Sequence, residues 1–447
     1  MKHKEPINPN YSALITTISS VTPIEGCDNI VSAVASGYYI VVSKDTKKGD
    51  VGIYFPVGTQ LSENFLSNNN LYRKVEKNKD DKKGFFENTG RLKAIRLRGE
   101  QSNGLFVPLD SLSYLLSQDE IEDLNVGDTF DHIKGEMICQ KYVIKKPRTQ
   151  GKGNKDKIKA RYSKLVDNQF RFHYKTTHLQ SNMDSLQPDS RITITKKIHG
   201  TSAVFSKVLI KKKLSFISKL LKKFGLPIKS EENGFLYSSR QVIKNEFYST
   251  NLGFYKENIW KTWANKIEDL IPSGFTIYGE IVGYLDNGGF IQKDFDYGCL
   301  HGESQFYVYR VTFTNNDGKV FELSWNDLKD FCKAYGFEHV QEFYQGKVEE
   351  LFPAIDYKAD WRTVWLKELE NCEEFEMNDS DCSWHKNQSV PSEGIVVRKE
   401  DMINPQAFKL KNYRFLEKES RLIDKGEADI EEVLTAYENP PKSKEIG

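Results

Sequence analysis

No stretch of this sequence approaches the run of about 20 apolar residues that spans a bilayer, and no apolar segment follows the lysines of its opening Met-Lys-His-Lys-Glu-Pro. Neither a transmembrane nor a secreted protein is expected, and no membrane partner. Paired cysteines are also missing. The six present (Cys27, Cys139, Cys299, Cys332, Cys372, Cys382) form no Cys-x-x-Cys pair and no His/Cys metal spacing. They read as reduced thiols in a cytoplasmic or nuclear protein. Net charge is scarce as well: 64 Lys+Arg against 63 Asp+Glu leave +1. The chain is not a polycation, so a nucleic-acid partner would have to meet local basic patches. No internal repeat is visible.

What is present is ample core-forming material, 38% hydrophobic and 12% aromatic over 447 residues, enough for two or three domains. Residues 14–21, 30–42 and 51–61 are rich in β-branched and aromatic residues, with turn residues between them. Several short strands within about a hundred residues predict a small barrel, with an OB-fold preferred to an SH3-like barrel that leaves much the same trace. Residues 141–164 then turn polar and basic (Lys145, Lys146, Arg148, Lys152, Lys155, Lys157, Lys159, Arg161). This is a solvated linker, a segment that tracks phosphates, or both. The expected division is residues 1–140 as an OB-like nucleic-acid-binding domain, 141–165 as linker, and 166–447 as an α+β domain of antiparallel sheets and helices with a C-terminal helical tail. Within the last domain, Ile217, Leu220, Leu221 and Phe224 recur at helical spacing among lysines. Such a helix can touch a membrane or RNA, but packing of its apolar side on the domain is the reading preferred here.

The chemistry concentrates at Lys197-Ile-His-Gly200, which follows the β-branched run Ile-Thr-Ile-Thr. A strand-end lysine becomes a nucleophile when its surroundings keep it unprotonated. The spacing Lys-x-x-Gly alone decides nothing, because Lys222 to Gly225 and Lys333 to Gly336 repeat it and read as surface lysines near turns. Lys409 and Lys411 are two apart on a predicted strand and so share a face, as they would on any solvent-facing strand. Glu280 and Glu393 each adjoin a glycine at the end of an apolar strand. A carboxylate so placed can reach a crevice, and hard oxygen ligands suit Mg²⁺ or Mn²⁺.

Lys197 is followed in order by Ser238-Ser-Arg240, Phe275-Thr-Ile-Tyr-Gly-Glu280, Phe306-Tyr-Val-Tyr309, Glu393-Gly-Ile-Val-Val397 and Phe408-Lys-Leu-Lys411. Six short patterns in one order carry far more weight than any one of them. The order resembles the covalent nucleotidyltransferase superfamily of ATP-dependent ligases and capping enzymes, with an ATP-grasp-like ligase domain. The wording Lys-Ile-His-Gly is similar to RNA ligases, and a β-rich module ahead of Lys197 resembles the Deinococcus-type clade. The resemblance implies that Lys197 carries AMP within the motif closed by Gly200, and that Lys409 and Lys411 contact the α-phosphate. It also implies Glu393 as a metal contact, Glu280 as a ribose or metal contact, and Arg240 as a ribose and substrate-strand contact. It implies Tyr309 as the residue stacked on adenine, with Phe306 as the alternative, because this chain has Arg310 where the family usually has aspartate. His199 is given no acid–base role.

The function implied is an ATP-dependent RNA ligase joining 3′-hydroxyl and 5′-phosphate ends in RNA repair or nick sealing. It would act as a monomer on RNA or on a nicked RNA/DNA duplex. The alternatives are a DNA ligase, a GTP-dependent mRNA capping guanylyltransferase, or a non-catalytic nucleic-acid-binding protein. The first two usually carry an OB domain after their last motif, and only 36 residues follow Lys411. That is too few for such a barrel.

Overall fold

The structure, a computed structural model, describes residues 5–144, 164–173, 176–212, 214–224, 226–227, 229–245, 255, 257–385, 389–400 and 405–426. Most of the basic stretch read as a linker, and the chain beyond residue 426, lie outside the described residues.

The N-terminal strands β1 (Ala13–Pro23), β2 (Ile30–Ala35), β3 (Tyr38–Ser43), β4 (Val51–Pro56) and β5 (Gly104–Pro108) form an antiparallel sheet in the order β3-β2-β1-β4-β5. β1 pairs with β4 through residues 14–17 and with β2 from Ile18 onward, with a register shift between Ile18 and Ser20. That bulge bends the strand and curls the sheet into an OB-like half-barrel over buried Ile15, Ile53, Phe55, Phe65 and Phe130. The stretches 30–42 and 51–61 each hold two strands, the second of the latter pair being Thr59–Leu61. Ser36 and Gly37 both have positive φ, 47° and 76°, as a two-residue hairpin turn requires. A short strand Cys139–Lys141 pairs with Thr59–Leu61, so the N-terminal ladder continues to Lys141.

Two further sheets follow. β6 (Arg191–Lys197) belongs to the first; β7 (Thr201–Lys211), β8 (Glu231–Ser238), β9 (Phe275–Gly283), β10 (Ser304–Thr314) and β11 (Val320–Glu322) form the second in the order β8-β7-β9-β10-β11. β12 (Glu342–Lys347), β13 (Gly394–Lys399) and β14 (Gln406–Lys411) complete the first, ordered β14-β13-β6-β12. Thr177–His178 lies parallel to β14 on its outer edge.

Helices cover the two sheets. α1 (Phe216–Lys223) caps the β7–β8 hairpin; α2 (Ile259–Ile267) and α3 (Trp325–Tyr335) share a core with the second sheet around Trp260, Ile277, Trp325 and Phe331. α4 (Trp361–Glu370) buries Trp361 and Trp365 with Ile192, Ile194 and Val397 of the first sheet, and α5 (Tyr413–Asp424) closes the described chain. None of these helices is long and apolar enough to cross a membrane.

α1 forms where the spacing predicts, but its packing corrects the preferred reading. Phe216, Ile217, Leu220 and Phe224 are 82%, 68%, 45% and 75% exposed, so its apolar side is not laid on the domain. The helix stands at the far end of a long hairpin, beyond the reach of the sheet's core. Lys333 is exposed in the last turn of α3, and Gly336 is that helix's left-handed C-cap with φ 74°. This Lys-x-x-Gly copy is therefore a helix stop. Gly225 of the other copy lies outside the described residues.

Candidate active site

The nucleophile candidate sits where the chain leaves one sheet for the other. Lys197 ends β6, Ile198-His199-Gly200 crosses the gap, and Thr201 opens β7. Gly200 is needed for close approach more than for a sharp turn, because a Cβ there would lie 2.5 Å from the Ile281 carbonyl oxygen and 2.8 Å from Val282 Cγ1. The His199 backbone N–H donates to the Tyr297 hydroxyl. Its ring packs edge-on against Phe295 and Phe415, with centroids 4.9 and 5.1 Å away. His199 therefore holds the crossing in place.

Across the first sheet, Lys197 stands opposite Gly394, and Gly394 opposite Lys411. Gly394 has φ 127°, and a Cβ on it would meet the Leu410 carbonyl oxygen at 2.2 Å, so only glycine lets the three strands register here. Strand alternation turns Lys196 the other way. It is fully buried, 2.6 Å from Glu376 Oε1, while Lys197 Nζ lies 2.6 Å from Glu393 Oε1. Lys197, Gly200, Arg240, Glu280, Tyr309, Glu393, Lys409 and Lys411 all line one cavity of about 510 Å³ between the sheets.

Phe306 does not reach that cavity. It is buried in the core against Phe205 and Trp263. The ladder between β9 and β10 slips after Tyr278, which pairs with Arg310 while Gly279 pairs with Val308. Tyr309 is the extra, bulged residue, and a bulge re-aims a side chain. Its hydroxyl lies 2.7 Å from His173 Nδ1. Arg310, where aspartate is usual, pairs with Glu322 on β11, and Arg398 reaches the same carboxylate at 3.5 Å.

Electrostatics here favour anions. Burial, and then the charges of Lys411, Lys197, Arg240 and Lys141, push the Lys409 ammonium well below its ordinary range. His173 is likewise pushed well down, by burial first and then by Arg240 and Arg310, and is neutral. Burial acts to raise Glu393, but Lys197, His199 and Lys411 outweigh it and hold the carboxylate below its usual range.

Among the described residues no three His, Cys, Asp or Glu side chains gather as a metal cluster. Four carboxylates line the cavity; Glu322 is paired with Arg310 and Glu419 with Lys411, which leaves Glu280 and Glu393 as the candidates, and Glu393 Oε2 is buried with no hydrogen-bond partner among described residues. One or two carboxylates plus phosphate oxygens and water are what Mg²⁺ ordinarily takes. The donor set fits a cation that arrives with a polyphosphate.

Several lining residues escaped the sequence reading. His173 lies in no motif, Glu419 comes from α5, and Asn10, Tyr11 and Lys141 come from the N-terminal module. Only tertiary structure brings them there, although a basic residue ending the last N-terminal strand was a usable signal.

Two antiparallel-rich sheets enclosing a lysine-lined cavity, behind an OB-like half-barrel, define a nucleotidyltransferase-like ligase fold. The RNA ligase family pattern matches residues 190–413, half of the chain, and an OB-fold domain matches residues 12–109. The chain belongs to the RNA ligase family. No curated protein matches the sequence. Among solved structures it is similar to the RNA ligase of Naegleria gruberi. An alanine variant with ATP and Mn is 17% identical at TM-score 0.53, over 92% of this chain and 99% of that one. The form with PPi is 17% identical at TM-score 0.53, over 93% and 100%, and another alanine variant with ATP and Mn is 18% identical at TM-score 0.55, over 91% and 98%. At this identity the likeness is one of fold.

Proposed function

We propose that this RNA ligase uses ATP and Mg²⁺ or Mn²⁺, and that Lys197 is its adenylated residue. The observation that carries the reading is the 2.6 Å contact of Lys197 Nζ with Glu393, in the same cavity as Lys409 and Lys411. The Lys197 amine attacks the α-phosphorus of ATP; the Nζ–P bond forms as the nitrogen gives up one proton, the bond to the bridging oxygen breaks, and pyrophosphate leaves. Lys409 and Lys411 face the charge that grows on the α-phosphate oxygens. A 5′-phosphate oxygen of RNA then takes the AMP from Lys197, whose nitrogen takes up a proton and leaves as the amine. Finally a 3′-hydroxyl attacks that phosphate, loses its proton and displaces AMP. The cation, held by Glu280 and Glu393, would shield phosphate charge and disfavour protonated Lys197.

Tyr309 is assigned to the adenine face, Arg240 to ribose and the substrate strand, and Gly200 to the nucleotide-facing turn. Residues 1–140 are read as the nucleic-acid-binding module, 141–165 as linker and 166–447 as the adenylation module. That order supports placing the chain in the Deinococcus-type clade. The six cysteines stand as free thiols, in keeping with a monomeric enzyme of a reducing cytoplasmic or nuclear compartment.

The test is sealing of matched nicks carrying pre-adenylated 5′ ends, so that only the last step differs. A 3′-hydroxyl strand of RNA is expected to seal faster than one of DNA. Equal rates or a DNA preference would move the assignment to a DNA ligase. Failure to form enzyme–AMP from ATP, with label transferred from GTP instead, would move it to a capping enzyme.

Lys409 adds a pH dependence. Its pKa is depressed in the free enzyme, and an arriving phosphate raises it, so binding takes up a proton and weakens as pH rises past the free-enzyme value. Calorimetry of ATP binding to Lys197→Ala, in buffers of different ionisation enthalpy near neutral pH, is expected to show net proton uptake. Lys409→Gln in the same background should remove most of it.

A further inference from the structure

α5 begins two residues after Lys411, and its two sides do different work. Tyr413, Glu417, Ser420 and Asp424 recur at three- and four-residue steps and form one stripe. That stripe is held by the N-terminal module. Buried Arg91 donates to the Ser420 carbonyl at 3.0 Å and to Asp424 at 2.7 Å, and Arg96 reaches Glu417 at 3.3 Å. The Ala94 amide donates to Ser420 Oγ at 3.1 Å, and the Ser102 amide to the Tyr413 hydroxyl at 3.1 Å. On the opposite side, Phe415 and Glu419 sit one turn apart. Both oxygens of Glu419 accept from Lys411 Nζ, at 3.1 and 3.2 Å, and the same ammonium lies 5.2 Å above the Phe415 ring. Glu419 also lines the cavity.

We propose that α5 is a positioning strut. Glu419 sets the direction of Lys411 towards the α-phosphate, and the N-terminal module holds the helix in register from its other side. A lysine has four freely rotating bonds, and immobilising such a side chain on binding costs affinity. A carboxylate that fixes the ammonium beforehand lowers that cost without touching the nucleotide. Glu419 is thus a positioning residue, and the adenylating role of Lys197 is the reading on which this rests. The same contacts give a module that carries none of the nucleotidyl-transfer motifs a route to the first chemical step.

Enzyme–AMP formation against ATP concentration tests this in the full chain. Glu419→Ala is expected to raise the KM for ATP about tenfold, the worth of one charge-assisted hydrogen bond, with kcat changed less than about threefold. Glu419→Gln still offers an oxygen to the ammonium and should recover most of the loss. Glu417→Gln with Asp424→Asn, neither of which lines the cavity, should raise the KM in the same direction. A KM for Glu419→Ala within twofold of wild type, or below it, overturns the proposal. A Glu419→Gln defect equal to that of alanine, with a matching drop in Tm, reduces Glu419 to a helix-packing residue and also overturns it. If the wild type forms no enzyme–AMP, the assignment of ATP and Lys197 is what has failed.

Discussion

Lys197→Ala is expected to abolish covalent enzyme–AMP, while Lys333→Ala and Lys222→Ala keep it at wild-type level. The three lysines share the spacing Lys-x-x-Gly, so the difference lies in surroundings. Lys333 is exposed on the last turn of α3 and lines no part of the cavity. Lys197 projects into the cavity with Lys409, Lys411 and Arg240 around it, a set of cations placed to receive a polyphosphate beside the nucleophile. Its fellow Lys196 is no substitute. That ammonium is turned into the interior, 2.6 Å from Glu376 and 3.3 Å from Ser383 Oγ, and cannot swing across the sheet. Loss should therefore be complete on a denaturing gel with labelled ATP. Alanine leaves the buried Glu393 carboxylate without its 2.6 Å partner, so Tm should fall without loss of the fold, and sealing of a pre-adenylated nick should survive in part. Label on the Lys197→Ala protein would show that another residue carries the nucleotide.

The parts of this site that the sequence disclosed are those that strand alternation controls. Lys409 and Lys411 share a face, Lys196 and Lys197 do not, and both follow from a period of two. Glu393 could be placed at a strand end because glycine and an apolar run follow it, but Glu280 could not: β9 runs on past it to Gly283. What stayed hidden depends on contacts distant in the chain. That Tyr309 and not Phe306 lines the cavity goes with a bulge between β9 and β10, which leaves no local mark. Arg310 is paired with Glu322, twelve residues on, a contact that no local pattern announces. His173, Glu419 and Lys141 belong to no motif and reach the cavity only through packing. The hairpin at Ser36-Gly37 was read through because apolar residues continue on both sides of it. For α1, periodicity identified the helix but carried no information about whether anything covers it.

Glu393→Gln is expected to reduce enzyme–AMP formation by about a hundredfold or more, the usual cost of removing one preorganised electrostatic group. It should also raise the Mn²⁺ concentration needed for half-maximal rate. Two oxygens are at stake. Oε1 holds Lys197 at 2.6 Å, and Oε2 is buried with no hydrogen-bond partner among described residues, a costly arrangement unless something else occupies it during the reaction. A divalent cation is what the chemistry of the site would put there. Glu393 would hold that cation, which would offset phosphate charge beside Lys197. Glutamine keeps the size and one acceptor oxygen, so the fold should persist and Tm should stay within a few degrees. It carries no charge for a cation, and the metal requirement should rise with it. A purely structural ion pair would behave differently: Tm would fall, and the half-saturating Mn²⁺ concentration would stay at the wild-type value. That second outcome would remove Glu393 from the metal site and leave it only as the partner of Lys197.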